Sequence, residues 1–224
     1  MPIEIVRTIV EDDKSLLLRR DGQKLELVLG NVVLLSSAAL ETALELGRLA
    51  REPIERAAGG ACVLGGGLGF GATLRGVLDV ARSDTKVIVV EKLRTVMEIA
   101  RSEAAELVGG ALDDPRVELR AADVADVIAE VQPGSLSAIL LDVDNGPQAL
   151  SQAKNQRLYG DAGTRACWNA LTPGGVLGVW SAGPNAKYAA RLGRFGFETE
   201  VLRVAARTGG RASHVLFLGT KPTR

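Results

Sequence analysis

The sequence is poor in the residues that commonly announce chemistry. One histidine, His214, stands among 224 residues, so no cluster of imidazoles can build a zinc centre, and no metal is expected. His214 precedes the last expected strand, where a surface or edge position is the simple reading. The two cysteines, Cys62 and Cys167, lack metal-ligand spacing and fall in an expected strand and an expected helix. That usage suits reduced thiols in a cytoplasmic protein. Lys plus Arg and Asp plus Glu each number 27, and a formal charge of zero argues against nucleic acid or a membrane surface as partner. No apolar run approaches the roughly 20 residues of a membrane helix. Met1-Pro2-Ile3-Glu4 opens without the basic and apolar segments of a secretory leader. Internal repeats and low-complexity tracts are absent as well. The remainder, 46% hydrophobic and 24% charged, is an ordinary globular composition, long enough for one main domain with a small appendage.

Glycine, in contrast, is concentrated in one place. Ala61-Cys62-Val63-Leu64 is a short apolar run, and five glycines follow over seven positions, Gly65, Gly66, Gly67, Gly69 and Gly71. Leu74, Val77, Leu78 and Ala81 then keep a helical period. Strand, glycine turn and helix together bring bare backbone N–H groups up to a ligand, because a Cβ would block close approach or forbid a positive φ. A plain turn needs one or two glycines, not five.

Residues 1–37 read as a small antiparallel β element of three or four strands, with hairpin signals at Asp21-Gly22 and Gly30-Asn31. Such a sheet is too small to stand alone and must pack on the main domain or on a second subunit, which leaves a homodimer open. Residues 38–224 form the second unit. Ser36-Ser37 can cap a helix running from Ala38 to about Arg56, which Pro53 kinks or ends. Beyond the glycine loop, strands alternate with helices: Lys86–Glu91, Arg116–Arg120, Ser137–Asp142, and Val176–Ser181 after a turn at Thr172-Pro173-Gly174-Gly175. A closing hairpin joins Glu198–Ala205 to His214–Leu218 through Thr208-Gly209-Gly210-Arg211. The fold class is therefore α/β, a doubly wound, mostly parallel, seven-stranded Rossmann-like sheet whose last strand is antiparallel. Arg203, Arg207 and Arg211 read as a solvated edge, and Trp168 as core.

In open α/β sheets ligands sit beyond the carboxyl ends of the strands. Glu91, Asp123 and Asp142 each stand at or just past such an end, as does the loop Gly65-Gly66-Gly67-Leu68-Gly69. Glu91 lies about twenty residues after the loop, the spacing at which a carboxylate reaches both hydroxyls of a ribose. Gly67-Leu68-Gly69-Phe70-Gly71-Ala72 also satisfies the loose pattern of NAD-binding folds. No Tyr-Lys or His-Asp pair accompanies it.

The layout resembles the class I S-adenosylmethionine-dependent transferases, and within them it is most similar to spermidine synthases and the methyltransferase-like proteins grouped with them. The resemblance rests on Gly65-Gly66-Gly67-Leu68-Gly69, Val89-Val90-Glu91, Asp114-Pro115-Arg116-Val117, Ile139-Leu140-Leu141-Asp142-Val143-Asp144, Leu158-Tyr159 and Pro173-Gly174-Gly175-Val176-Leu177. It implies a cofactor site for S-adenosylmethionine or its decarboxylated form, made by Gly65, Gly66, Gly67, Leu68, Gly69, Glu91 with Lys92, Asp123 with Val124, and Asp142. It implies Asp142 and Asp144 as catalytic residues, with Asn145 and Tyr159 lining the pocket of a small-molecule acceptor, an amine among the candidates.

Three departures bear on the reaction. Aminopropyl-transferring synthases carry Asp in the loop where this chain has Leu68. Their Tyr-His-Glu stretch is replaced by Leu40-Glu41-Thr42, and their second acidic half-motif by Asn145-Gly146-Pro147. Polyamine recognition needs several carboxylates, since burying an unpaired ammonium costs several kcal/mol. The leading expectation is accordingly methyl transfer to a small acceptor. Aminopropyl transfer from decarboxylated S-adenosylmethionine is the alternative, followed by an NAD-dependent oxidoreductase and by a non-catalytic cofactor-binding protein.

Overall fold

In the computed structural model, residues 3–11, 13–148, 152–205 and 213–223 are described. Strands β1 (Glu4–Glu11), β2 (Lys14–Asp21), β3 (Lys24–Leu29) and β4 (Val32–Ser36) form an antiparallel sheet in chain order. Its inner side chains, Ile9, Leu16, Leu18, Leu25 and Leu27, join one continuous core with Leu68, Phe70 and Val96 of the larger unit. The four strands thus bury their apolar face against the main sheet's helices rather than closing on themselves. Arg7 adds a bond to Glu98 at 2.9 Å.

The main sheet contains β5 (Cys62–Gly66), β6 (Lys86–Glu91), β7 (Val117–Ala121), β8 (Leu136–Leu141), β9 (Leu171–Ser181), β10 (Glu198–Ala205) and β11 (Ser213–Thr220). Their order is β10-β11-β9-β8-β5-β6-β7. Strands β5 to β9 pair in parallel, and β11 runs antiparallel to both β9 and β10. The seven-stranded, doubly wound sheet read from the sequence is therefore present, with the last strand reversed. All six residues of β8 are buried, as a strand covered by helices on both faces requires. Chain order changes direction between β5 and β8, which places the topological switch at the glycine loop.

The helices are α1 (Leu40–Arg48), α2 (Arg51–Arg56), α3 (Ala72–Leu78), α4 (Arg94–Arg101), α5 (Ala105–Val108), α6 (Val124–Glu130), α7 (Gln152–Tyr159), α8 (Asp161–Ala170) and α9 (Ala186–Arg194). The single helix expected over 38–56 is broken at Leu49-Ala50, four residues before Pro53. A proline has no N–H for the carbonyl four residues back, and its ring crowds that carbonyl, so the break falls there. Helices α1 and α3 cross with backbones in contact: a Cβ on Gly76 would lie 2.1 Å from the Leu44 carbonyl oxygen, and one on Gly47 would lie 2.2 Å from that of Thr73. This close crossing sets Thr73 under the strand tips.

The turn expected at Thr172–Gly175 is instead absorbed into β9. Leu171 pairs with Leu136 and Val176 with Ala138, so the five-residue step on β9 faces a two-residue step on β8. The extra backbone is satisfied by the last strand's exit, through Gly174 N–H to Lys221 O at 2.8 Å and Lys221 N–H to Gly175 O at 2.9 Å. The glycines and proline there shape a bulge. Arg203 is exposed on edge strand β10. Arg207, Arg211 and the turn at 208–211 lie outside the described residues. Trp168 packs edge-on to Phe197 at 4.9 Å between ring centres, in keeping with a core role.

Candidate functional site

The strand tips are stitched together by their backbones. Gly67 N–H donates to Val90 O at 2.9 Å, Asp142 N–H to Gly66 O at 2.8 Å, and Ala122 N–H to Glu91 O at 3.1 Å. Gly65 and Gly66 still belong to β5, paired with Val89 and Val90, so the turn proper is Gly67–Gly71. Gly67 has φ +87°, and a Cβ there would stand 2.3 Å from the Asp142 carbonyl oxygen. Only glycine permits that approach. The Cβ position of Gly69 is nearly open, with Leu35 Cδ2 of β4 the nearest neighbour at 3.7 Å.

Glu91 organises the loop directly. Its Oε2 accepts from Leu68 N–H at 2.9 Å and its Oε1 from Leu93 N–H at 2.8 Å, joining the loop to the start of α4. Burial pushes its carboxyl above the ordinary range; the N–H groups of Leu68, Leu93 and Lys92 pull it back in part, and the charge of Glu11 adds to the rise. The Leu68 side chain, 4% exposed, turns into the core beside Phe70. The loop therefore presents backbone, not a side chain, at this position.

Asp142 stands one residue past β8. Its Oδ2 accepts from the Thr73 hydroxyl at 2.9 Å. The residue keeps some solvent access, but its carboxylate is enclosed, and burial raises its pKa against the lowering effect of Thr73. Thr73, on α3, has no motif of its own; the one sequence signal was a polar residue at a buried helical position behind the glycine loop.

Asp144 is exposed and left-handed, with φ +52°, a conformation that Asp tolerates better than most residues and that recurs at functional sites. Asn145 is exposed too, and its carbonyl accepts from Ala182 N–H at 3.3 Å. Tyr159 is 3% exposed. Its hydroxyl donates to Val143 O at 3.1 Å and so supports the β8 tip from beneath. Burial first, then Tyr188 and the Asp142 and Asp144 carboxylates, keep that hydroxyl protonated.

Asp123 caps α6 through Ala125 N–H at 3.0 Å and pairs with Lys92 Nζ at 3.0 Å. Burial works to raise its carboxyl, but Lys92, the Ala125 N–H and Arg157 hold it below the ordinary range. Val124 packs over Gly66, where a Cβ would come within 2.8 Å of its Cγ2. The loop, Glu91 and Asp142 thus meet at one edge, while Lys92 and Asp123 make an ion pair along the same rim. Two cavities of about 200 and 210 Å³ lie elsewhere. One is between α6, α7 and α8 by Ile128, Arg157 and Ala166, the other by Arg75, Asp79 and Asp114.

One further residue departed from expectation, and the cysteines kept to theirs. His214 is partly buried and does not lie on an edge strand, because β11 is inserted between β9 and β10. Its Nδ1 lies 2.9 Å from Thr42 Oγ1, which also accepts from Trp180 Nε1–H at 3.0 Å, and its ring packs on Trp180 at 4.6 Å. Burial lowers its pKa. Cys62 and Cys167 are free, and burial raises both thiols, Cys167 to about 12, which disfavours the nucleophilic thiolate. Among the described residues no group of three or more His, Cys, Asp or Glu could hold a metal ion, and no helix is long and apolar enough to cross a membrane.

The chemistry of the donor set suits an adenosyl sulfonium ligand. Bare backbone at Gly67–Gly69 can approach it, Glu91 offers carboxylate lone pairs to hydroxyls, and Asp142 adds a second carboxylate at the tip of β8, held by Thr73. No protein-family model matches the chain. Over 115 residues, 51% of this chain and 35% of the relative, it is 34% identical to the polyamine aminopropyltransferase of Aeropyrum pernix. Over 121 residues, 52% of this chain and 32% of the relative, it is 36% identical to polyamine aminopropyltransferase 2 of Pseudomonas aeruginosa. The matches span about a third of each of these relatives. Among solved structures, spermidine synthase from Thermotoga maritima superposes with a TM-score of 0.75 at 19% identity, covering 99% of this chain and 74% of that one. A spermidine synthase bound to the transition-state analogue AdoDATO gives 0.74 at 19% identity, with 99% and 73% covered. A probable spermidine synthase from Corynebacterium glutamicum gives 0.64 at 18%, with 98% and 81% covered. The chain has the spermidine synthase fold and, over about half of its length, a sequence similar to that of polyamine aminopropyltransferases.

Proposed function

We propose that this protein is a transferase that moves an aminopropyl group from decarboxylated S-adenosylmethionine to a small amine. The observation that carries the reading is the meeting of the glycine loop, Glu91 and the enclosed Asp142 carboxylate at the switch point between β5 and β8. The named relatives favour aminopropyl transfer over the methyl transfer to which Leu68 pointed. Leu68 is compatible with both, since its side chain is in the core and only its N–H serves the site, through Glu91.

The donor supplies a sulfonium whose activated carbon accepts the amine while sulfur leaves as a neutral thioether. The chain's own tasks are binding, alignment and proton transfer. Gly67, Leu68 and Gly69 hold the donor against bare backbone, Glu91 accepts from its ribose, and the rim at Asp123 and Val124 meets the adenine. Asp142 Oδ2 is fixed by the Thr73 hydroxyl, which leaves Oδ1 to orient the acceptor's ammonium and to take one of its protons, freeing the nitrogen lone pair that then attacks the carbon. A buried carboxylate of raised pKa is a better proton acceptor near neutral pH than an exposed one. Asp144 and Asn145, exposed beyond the strand tip, line the acceptor's approach, with Tyr159 holding the tip in place. Much of the rate enhancement comes from holding amine, carbon and sulfur in line.

Ligand-dependent stabilisation tests the reading. A ligand at 100 times its Kd stabilises the native state by about 2.7 kcal/mol. Decarboxylated S-adenosylmethionine and methylthioadenosine should raise Tm more than S-adenosylmethionine, S-adenosylhomocysteine or NAD. With a diamine acceptor, methylthioadenosine should form in step with the longer polyamine. Preferential stabilisation by S-adenosylhomocysteine would return the assignment to methyl transfer, and a response to NAD alone would end both.

A further inference from the structure

We propose that Glu11, the last residue of β1, is a second carboxylate of the donor's ribose site, taking one hydroxyl of the vicinal diol while Glu91 takes the other. The inference rests on the donor reading above and extends the site to the small N-terminal sheet.

Two consecutive amides at the start of α4 hold two carboxylates from two different sheets. Leu93 N–H donates to Glu91 Oε1 at 2.8 Å, and Arg94 N–H donates to Glu11 Oε1 at 3.0 Å. The two groups are near enough for the charge of Glu11 to act on Glu91. Their remaining oxygens differ. Glu91 Oε2 is engaged by the Leu68 N–H of the loop. Glu11 Oε2 is buried and has no hydrogen-bond partner, alone in this among the side-chain oxygens and nitrogens of the described residues.

A carboxylate oxygen withdrawn from water normally has a donor, and one left bare beside a like charge is doubly unfavourable. A ligand that brings two adjacent O–H groups meets the need. One donates to the bare oxygen of Glu11 and the other to a remaining lone pair of Glu91. Each carboxylate already accepts a backbone N–H, so neutral hydroxyls suffice as further donors. The position also suits a ribose, since Glu91 is bonded to the same loop that faces the donor's sulfonium end. Anchorage of β1 by Arg7 on Glu98, one turn further along α4, keeps Glu11 over the helix start.

Calorimetry on the full chain, wild type and Glu11→Gln, with 5′-methylthioadenosine and its 2′-deoxy and 3′-deoxy counterparts, tests the proposal. Glu11→Gln should weaken methylthioadenosine about tenfold, the usual loss for one hydrogen bond to a charged group. It should leave unchanged the affinity for the one deoxy analogue that lacks the hydroxyl held by Glu11. Glu91→Gln should show the same pattern with the other analogue. If Glu11 only caps α4, all three ligands weaken by one factor, and that result, or no weakening, overturns the proposal. Equal binding of the three ligands by wild type also overturns it while leaving the donor reading in place. Wild type that binds none of them overturns the donor reading itself. Ligand-free unfolding of Glu11→Gln checks the fold, and Glu11→Asp, shorter by one methylene, should reproduce the selective loss.

Discussion

At the residue scale, Asp142 is under two opposing demands. Burial makes its charge unfavourable, yet a proton acceptor must be charged to work. Because its folded pKa is raised above the ordinary 3.8, the native state binds more protons than the unfolded state between the two values. Stability from this group is therefore fullest below the unfolded pKa and is lost as pH rises through the folded one. Asp142→Asn should accordingly raise Tm at neutral pH while reducing turnover by about a hundredfold or more; a variant with intact turnover would remove Asp142 from the mechanism. The acid limb of kcat/KM should fall above the ordinary carboxylate range, and Thr73→Val should shift it to still higher pH, as a pH–rate profile would reveal. Glu91 carries a different burden, because its two N–H bonds hold the loop to α4. Glu91→Ala should cost about 1–3 kcal/mol of stability and at least tenfold in methylthioadenosine affinity, measured by denaturation and calorimetry. Neither Thr73 nor Glu11 was legible in the sequence. A threonine in a helix and a glutamate ending a strand gain meaning only from what folding places opposite them.

At the element scale, the crossing of α1 on α3 fixes where Thr73 lies. A Cβ on Gly76 meets the Leu44 carbonyl at 2.1 Å, and backbone cannot move aside as a side-chain tip can. Gly76→Ala should cost roughly 1–3 kcal/mol by overpacking and also weaken the Thr73–Asp142 contact. Urea denaturation together with the pH–rate profile would detect both effects. The alternation of apolar strands and amphipathic helices was plain from periodicity, since β8 and β6 are near-continuous apolar runs. The bulge in β9 was not. Thr172-Pro173-Gly174-Gly175 has the composition of a turn, and the backbone bonds that Gly174 and Gly175 make with Lys221 help keep it within the strand. His214 differs from the edge position expected of it for a related reason: the reversed strand that it opens occupies an interior slot of the sheet.

At the scale of the whole molecule, the small sheet and the main sheet share a core. Leu27 is fully buried and belongs to the same cluster as Leu68 and Val96. Leu27→Ala should lower global stability by about 2–5 kcal/mol, with one cooperative transition by fluorescence and by circular dichroism. Separate transitions would show that the four strands fold on their own account. The sequence by itself determined the α/β class, the glycine turn and the acids at the strand ends, because hydrophobic period and glycine's backbone freedom are local properties. Tertiary structure decided the rest: that Leu68 faces the core, that Asp123 is bound up with Lys92 and α6, that Tyr159 braces the β8 tip, and that Glu11 arrives beside Glu91. Those outcomes depend on burial and on partners distant along the chain, which no local pattern encodes.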